Sequence, residues 1–305
     1  MSNIILHHYG VSPFAEKVRV AFGIKKLAWQ SVDIPNVMPK PDLMPLTGGY
    51  RKTPVMQVGA DIYCDTQLIL LELERRVPSP PLLPKGREAE ARAITMWADR
   101  LIFGPAVGVV MSQVADKFGE AFKKDRSEFS GRSFDPERLK AALPIVRDQT
   151  FALLSIADQM LDGREFLLGE EPGLADCAVY NPVWFIQQQL GAMASPLDRL
   201  PRVIAWSQRM KALGHGTRTN LEASEALDIA RTATPQPGKV DANDPSGLKA
   251  GQKVTVTPDD TGRVPVTGTL AGLSRDRVSL ARHHDRVGDV VVHFPRAGFV
   301  IAPAS

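Results

Sequence analysis

Thr53-Pro54-Val55-Met56-Gln57-Val58, then Asp61-Ile62-Tyr63-Cys64-Asp65-Thr66, are the stretches on which the reading of the fold turns. Two short β-prone runs separated by Gly59-Ala60 predict a hairpin, and Asp65-Thr66 then opens a helix to about Arg76. Working outward, Ile4-Ile5-Leu6 predicts a strand, and Phe14, Val18, Ala21 and Phe22 share one side of a helix that follows it. Val32 and Ile34 mark a second strand, and a Pro-rich loop joins Pro35 to Thr53. Strand and helix alternate, so residues 1–80 are expected to form an α/β domain built on a βαβ…ββα pattern. The prolines of Val77-Pro78-Ser79-Pro80-Pro81 withhold backbone donors and end it.

Residues 86–231 change character. Helical periodicity predicts segments near 87–118, 135–162, 174–190, 200–213 and 218–231, with Gly163, Gly191 and Gly214 at the breaks, so this part is expected to be all-α. Residues 232–247 are polar and rich in Pro and Gly, and are expected to be a linker. Beyond it the period becomes two: Val254 and Val256, Val264 and Val266, Val278 and Leu280, Val290 and Val292, Phe299 and Ile301. Residues 248–305 are therefore expected to form a small all-β module, a five-stranded barrel that is SH3-like in its strand count.

The chain has 305 residues, 44% hydrophobic and 23% charged, an ordinary globular composition with room for two or three domains. No uninterrupted apolar run reaches the roughly 18 residues that span a bilayer, and no leader-like segment opens the chain, so a cytoplasmic location without membrane contact is expected. Cys64 and Cys177 stand far apart, which suggests neither a disulfide framework nor a cysteine zinc site. A net charge of +3 gives no reason to expect a nucleic-acid partner. His7, His8, His283, His284 and His293 lack metal-ligand spacing, and no metal is expected.

Ser12-Pro13-Phe14-Ala15 stands where a strand hands over to a helix. Unpaired N–H groups and the helix dipole make such a position suited to a thiolate, phosphate or carboxylate, and Pro13 fits the first helical position. Ser12 also reads as a plain N-cap, the commonest use of serine there.

Taken together, Ser12, Thr53-Pro54-Val55 and Asp65-Thr66 resemble the glutathione transferases. The resemblance covers residues 1 to about 230 and implies a thioredoxin-like first domain, with Pro54 in a cis peptide bond. It implies that glutathione's cysteinyl unit pairs with main-chain groups beside that proline, assigned to Val55 with Thr53 and Pro54 alongside. Asp65 and Thr66 would bind the γ-glutamyl end, and Arg51 or Lys52 the glycyl carboxylate. Pro172-Gly173-Leu174-Ala175-Asp176 resembles the family's buried helix start, with glycine where Ser or Thr is usual. The barrel-like remainder has no counterpart in typical members.

The activity implied is that of a transferase: Ser12, with Tyr9 as the competing donor, stabilises the glutathione thiolate for attack on a small electrophile, as in detoxification. Members with cysteine in place of Ser12 run thiol exchange, for which serine is not competent. Trp97, Arg100, Phe103, Gly104, Val107 and Met111 recur at helical spacing and are candidates for lining an electrophile pocket. A homodimer is the family expectation. The alternative is a non-catalytic scaffold whose C-terminal β module binds a protein or nucleic acid, although residues 248–305 carry only eight Lys and Arg against five Asp.

Overall fold

The computed structural model describes residues 3–191, 196–236 and 238–304. The N-terminal part comprises β1 (Ile5–His8), α1 (Pro13–Ile24), β2 (Ala28–Asp33), α2 (Leu43–Thr47), β3 (Val55–Val58), β4 (Asp61–Cys64) and α3 (Thr66–Arg76). β1 pairs in parallel with β2 and antiparallel with β3, which pairs antiparallel with β4. This is the thioredoxin-like arrangement the resemblance implies, with one short helix, α2, inside the stretch expected to be loop.

The helical part begins with α4 (Glu88–Trp97), a π-helical segment (Ala98–Ile102) and α5 (Phe103–Val114), which run on from one another. α6 (Glu120–Ser130), α7 (Pro136–Met160), α8 (Leu174–Leu190) and α9 (Pro201–Ala212) follow. Helix α6 escapes the periodicity because most of its residues are polar; Phe122 anchors it, stacked on Phe118 at 4.2 Å between ring centroids. Residues 88–117 include an 18-residue window of mean hydropathy 1.3, long and apolar enough to cross a membrane. Here Ala98, Ile102, Ala106, Val109 and Val110 are buried in the core shared with α7 and α8.

The helix expected at 218–231 is shorter. Thr217–Asn220 form β5, which pairs in parallel with β2, and α10 (Ala223–Thr232) starts only afterwards. Gly216 makes the turn into β5 with φ +70°, and a Cβ there would lie 2.3 Å from the Leu27 carbonyl oxygen. Only glycine fits both constraints.

The C-terminal part holds β6 (Lys253–Pro258), β7 (Val266–Leu273), β8 (Arg277–His284), β9 (Gly288–Pro295) and β10 (Phe299–Pro303). The five strands are present, but the closed SH3-like barrel is not. Their order is β10-β6-β7-β8-β9, and among the described residues no ladder joins β9 to β10. Instead β9 pairs in parallel with β4, placing Asp61 opposite Val291, Ile62 opposite Val292 and Tyr63 opposite His293. An uncovered β4 would expose unpaired N–H and C=O groups, and β9 satisfies them. The result is one ten-stranded sheet, β10-β6-β7-β8-β9-β4-β3-β1-β2-β5.

One face of the N-terminal sheet packs, with α1 and α3, against the helical part. The other face contributes Ile5, Val55 and Ile62 to a second core, which continues through Val254, Leu270, Val292 and Phe294. Between α10 and β6 the chain lies against the sheet: Gln236 N–H reaches the Asp61 carboxylate, and Val240 forms a parallel bridge with Leu273.

Candidate functional site

β3 runs antiparallel to β1 and β4, with His7 and Cys64 both opposite Val55. The ends of β1 and β4 and the entry to β3 therefore meet at one end of the sheet, and bring the Tyr9–Ser12 turn, Thr53-Pro54 and Asp65 together. Lys17 ties α1 to α3 there, donating to Thr66 Oγ1 at 3.0 Å.

Ser12 is the N-cap of α1. Its Oγ accepts from the Ala15 N–H at 3.2 Å, and the side chain is buried. Capping uses the oxygen as acceptor; among the described residues nothing accepts the hydroxyl hydrogen, so a donor remains at the helix N-terminus. Tyr9 is half-buried, with the Lys40 ammonium 5.7 Å from its ring centroid.

The Thr53-Pro54 bond is cis. Val55 is fully buried in β3 between two paired neighbours, so its main chain is not an open edge. The open main chain lies on the other side of the proline, at Thr53, whose N–H and C=O have no hydrogen-bond partner among the described residues. Thr53 Oγ1 accepts from Lys40 Nζ at 2.9 Å.

Asp65 has φ +71° and caps α3, its carboxylate accepting from the Gln67 N–H at 2.9 Å. Arg51 is ion-paired with Asp125 of α6, and Lys52 with Asp260 from the β6–β7 loop. The two basic residues expected at a ligand carboxylate thus already face carboxylates, one from the helical part and one from the C-terminal strands.

Between these elements lies a cavity of about 40 Å³, lined by Phe14, Asp65, Thr66, Arg100, Asp260 and Phe299 among others. Ligand pockets typically measure roughly 300–1,000 Å³. Of the helix residues expected to line a pocket, Arg100 reaches this cavity, and Phe103 packs on Phe14 at 4.4 Å between ring centroids. Trp97, Val107 and Met111 pack half-buried against the helical core, and Gly104 is exposed.

Three further residues belong to this region. The buried Lys17 ammonium contacts Asp99 at 2.7 Å, while Asp99 Oδ1 is buried without a hydrogen-bond partner among the described residues. Burial pushes the Asp99 carboxyl up, opposed by Lys17. Lys40, buried beside Thr53, has its pKa lowered to about 8, by burial first and then by Arg126 and Arg51. One of these was signalled: Asp99 and Arg100 are the only charges between Met96 and Val114. Lys40, in a polar loop, carried no such signal.

Cys64 and Cys177 are free and buried, as packing residues are, and burial pushes both thiols up. His7 and His8 are buried with Gln57 and Ser31 as partners at 2.8 and 2.9 Å. Among the described residues no three His, Cys, Asp or Glu are grouped as a metal would require.

Residues 6–81 match the family described as "Glutathione S-transferase, N-terminal domain", and residues 107–218 match a domain family of unknown function. A GST-like protein from Pseudomonas syringae has a crystal structure that aligns over 100% of both chains, with 39% identity and a TM-score of 0.83. The chain belongs to the glutathione S-transferase-like family.

Among curated members, Glutathione S-transferase U4 of Arabidopsis thaliana is 21% identical over 67% of this chain and 83% of its own length. FtsZ-localized protein A of Caulobacter vibrioides is 24% identical over 57% of this chain and 72% of its own. The alignment with the Pseudomonas protein covers the whole chain, the C-terminal strands included.

Proposed function

We propose that this transferase-like chain binds glutathione at the open end of its N-terminal sheet, and that Ser12 stabilises the thiolate for attack on a small electrophile. The observation that carries this reading is the pair of uncommitted groups at that end, the Ser12 hydroxyl hydrogen and the Thr53 main chain. A peptide pairing with Thr53 extends the sheet pattern by one short strand, the usual way an extended peptide is held by main-chain bonds. Thr66 and the first N–H groups of α3 suit a carboxylate, and Asp65 suits the neighbouring ammonium. Lowering the thiol pKa by one unit requires about 1.4 kcal/mol, within reach of one hydrogen bond to a charged sulfur at a helix N-terminus. Removal of reactive electrophiles is the role such conjugation serves. The test is retention on immobilised glutathione and turnover of an aryl halide by the full chain; no retention at millimolar glutathione refutes the reading.

The small cavity and the occupied bases favour a second reading, a transferase fold kept as a scaffold. One family relative is named for its localisation to FtsZ rather than for a reaction. Retention on glutathione with measurable turnover excludes it.

A further inference from the structure

We propose that the β6–β7 loop is a displaceable wall of the ligand site, with Asp260 occupying on Lys52 the place of the ligand's own carboxylate. The proposal rests on the glutathione reading above and adds the C-terminal strands to the site.

The loop reaches the site through several contacts. Asp260 pairs with Lys52, and Asp259 with Arg100 at 2.7 Å. The Gly262 N–H donates to the Phe129 carbonyl at 2.9 Å, and the Phe129 ring lies 5.1 Å from the Arg51 guanidinium carbon. The Asp259 N–H donates to the Gly298 carbonyl at 3.0 Å, joining the loop to the β9–β10 turn, whose Gly298 and Phe299 line the cavity with Asp260. The loop therefore closes a space whose other walls are Asp65, Thr66 and Arg100.

The charges determine which contact yields. Arg51 and Asp125 have side chains 12% and 5% exposed, a fixed internal pair. The Asp260 side chain is 41% exposed, against 15% for Lys52. An ion pair with one well-solvated member contributes little and opens readily. Glutathione carries two carboxylates and one ammonium at neutral pH. Its carboxylate can take over the Lys52 ammonium as Asp260 turns to water, leaving no buried charge unpaired. Apparent affinity is then reduced by the fraction of molecules whose loop is open.

The experiment titrates the full chain with glutathione by calorimetry and follows hydrogen exchange over residues 259–264. The chains compared are the wild type, Asp260→Asn, and Asp285→Asn, which removes one exposed charge elsewhere in the C-terminal part. Faster exchange in Asp260→Asn alone, with glutathione binding tightened about two- to fivefold, supports the proposal. Glutathione should also speed loop exchange in the wild type. Unchanged exchange in Asp260→Asn overturns the proposal, whatever glutathione does. So does exchange that rises while glutathione binds no more tightly than to the wild type. Faster exchange with no glutathione binding to any chain refutes the glutathione reading, and the proposal falls with it.

Discussion

His293 Nε2 lies 2.9 Å from Asp61 Oδ1, a buried contact across the β4–β9 junction that joins the C-terminal strands to the thioredoxin-like sheet. Ser279 Oγ is 2.8 Å from His293 Nδ1, and the Tyr63 ring stacks on the imidazole at 4.5 Å between centroids. The order Ser, His, Asp is that of a catalytic triad, but Ser279 and His293 are direct partners in the β8–β9 ladder and Asp61 lies on β4 beside them, so all three are enclosed within the strand junction. The network is structural. Burial holds the His293 pKa down against the pull of Asp61, and a neutral ring satisfies every partner: Nε2–H donates to Asp61, and Nδ1 accepts from Ser279. Removing the ring takes one donor from the buried Asp61 carboxylate and leaves it the Gln236 N–H, so His293→Ala should lower stability by about 1–3 kcal/mol in denaturant unfolding. A loss below about 0.5 kcal/mol would show that the junction does not depend on this contact.

Ser12 has two roles that can be separated by substitution. Ser12→Ala removes the cap acceptor and the hydroxyl donor together, and should lose about 1 kcal/mol of stability and on the order of tenfold in turnover. Ser12→Asp keeps an acceptor for the Ala15 N–H but offers no hydrogen to a thiolate and repels it. It should unfold near the wild-type midpoint and turn over no faster than Ser12→Ala. Equal turnover in all three chains would move the thiolate contact away from this residue.

The sequence and the structure agree most closely where local chemistry decides the element. α3 runs Thr66–Arg76 and α8 runs Leu174–Leu190, the bounds that caps and periodicity predict. Elsewhere tertiary contacts decide the element. Strand alternation in residues 248–305 is the same whether a sheet closes on itself or pairs with β4, so it cannot distinguish a barrel from a sheet extension. Residues 217–220 are exposed and polar, and they are a strand because β2 offers an edge. At the site, the residue types were legible, but their partners were not: Asp125 and Asp260 lie 74 and 208 positions from the bases they meet.

Lys40 makes opposite predictions for binding and for stability. Its folded pKa of about 8 lies below the unfolded value near 10.4, so between about pH 8 and 10.4 the unfolded chain holds more protons, and stability should rise with pH across that window. Over the same window the ammonium beside Thr53 is lost, so affinity for a ligand carboxylate should fall as pH passes 8. S-methylglutathione, which has no thiol to titrate, is the ligand to use, compared between the wild type and Lys40→Gln. A steeper loss of affinity in the wild type supports the assignment; parallel profiles would mean that Lys40 does not face the ligand.

His7 and His8 set the acid limit. Burial is the leading cause that lowers their pKa values to about 4 and about 3, so both stay neutral in the folded chain while they charge in the unfolded one below about 6.5. The unfolded state then binds more protons, and stability should fall as pH drops from about 6.5 toward 4. By pH 5 the loss should be roughly 2 kcal/mol per histidine in denaturant unfolding. A flat profile between pH 7 and 5 would contradict it.

Gly173 shows why this chain departs from the family's usual helix start. The Asp176 carboxylate accepts three N–H groups, from Leu167 and Trp206 Nε1 at 2.9 Å and from Gly173 at 3.0 Å, which is half of a capping box. Ser or Thr at 173 would complete the box, and the extended backbone there, φ −143°, accepts any residue. A side chain is excluded by a neighbour: a Cβ on Gly173 would sit 2.7 Å from the Leu82 carbonyl oxygen, which itself accepts the Leu174 N–H at 2.7 Å. That carbonyl is main chain, fixed by the same hydrogen bond, and cannot swing aside. Gly173→Ser should therefore lower stability by about 1–3 kcal/mol, where the capping rule alone predicts a small gain. Asp176→Ala, which leaves three buried donors unpaired, should cost at least as much. Thermal unfolding of the two variants decides between the rules, and a Gly173→Ser chain more stable than the wild type would show that the Leu82 segment gives way.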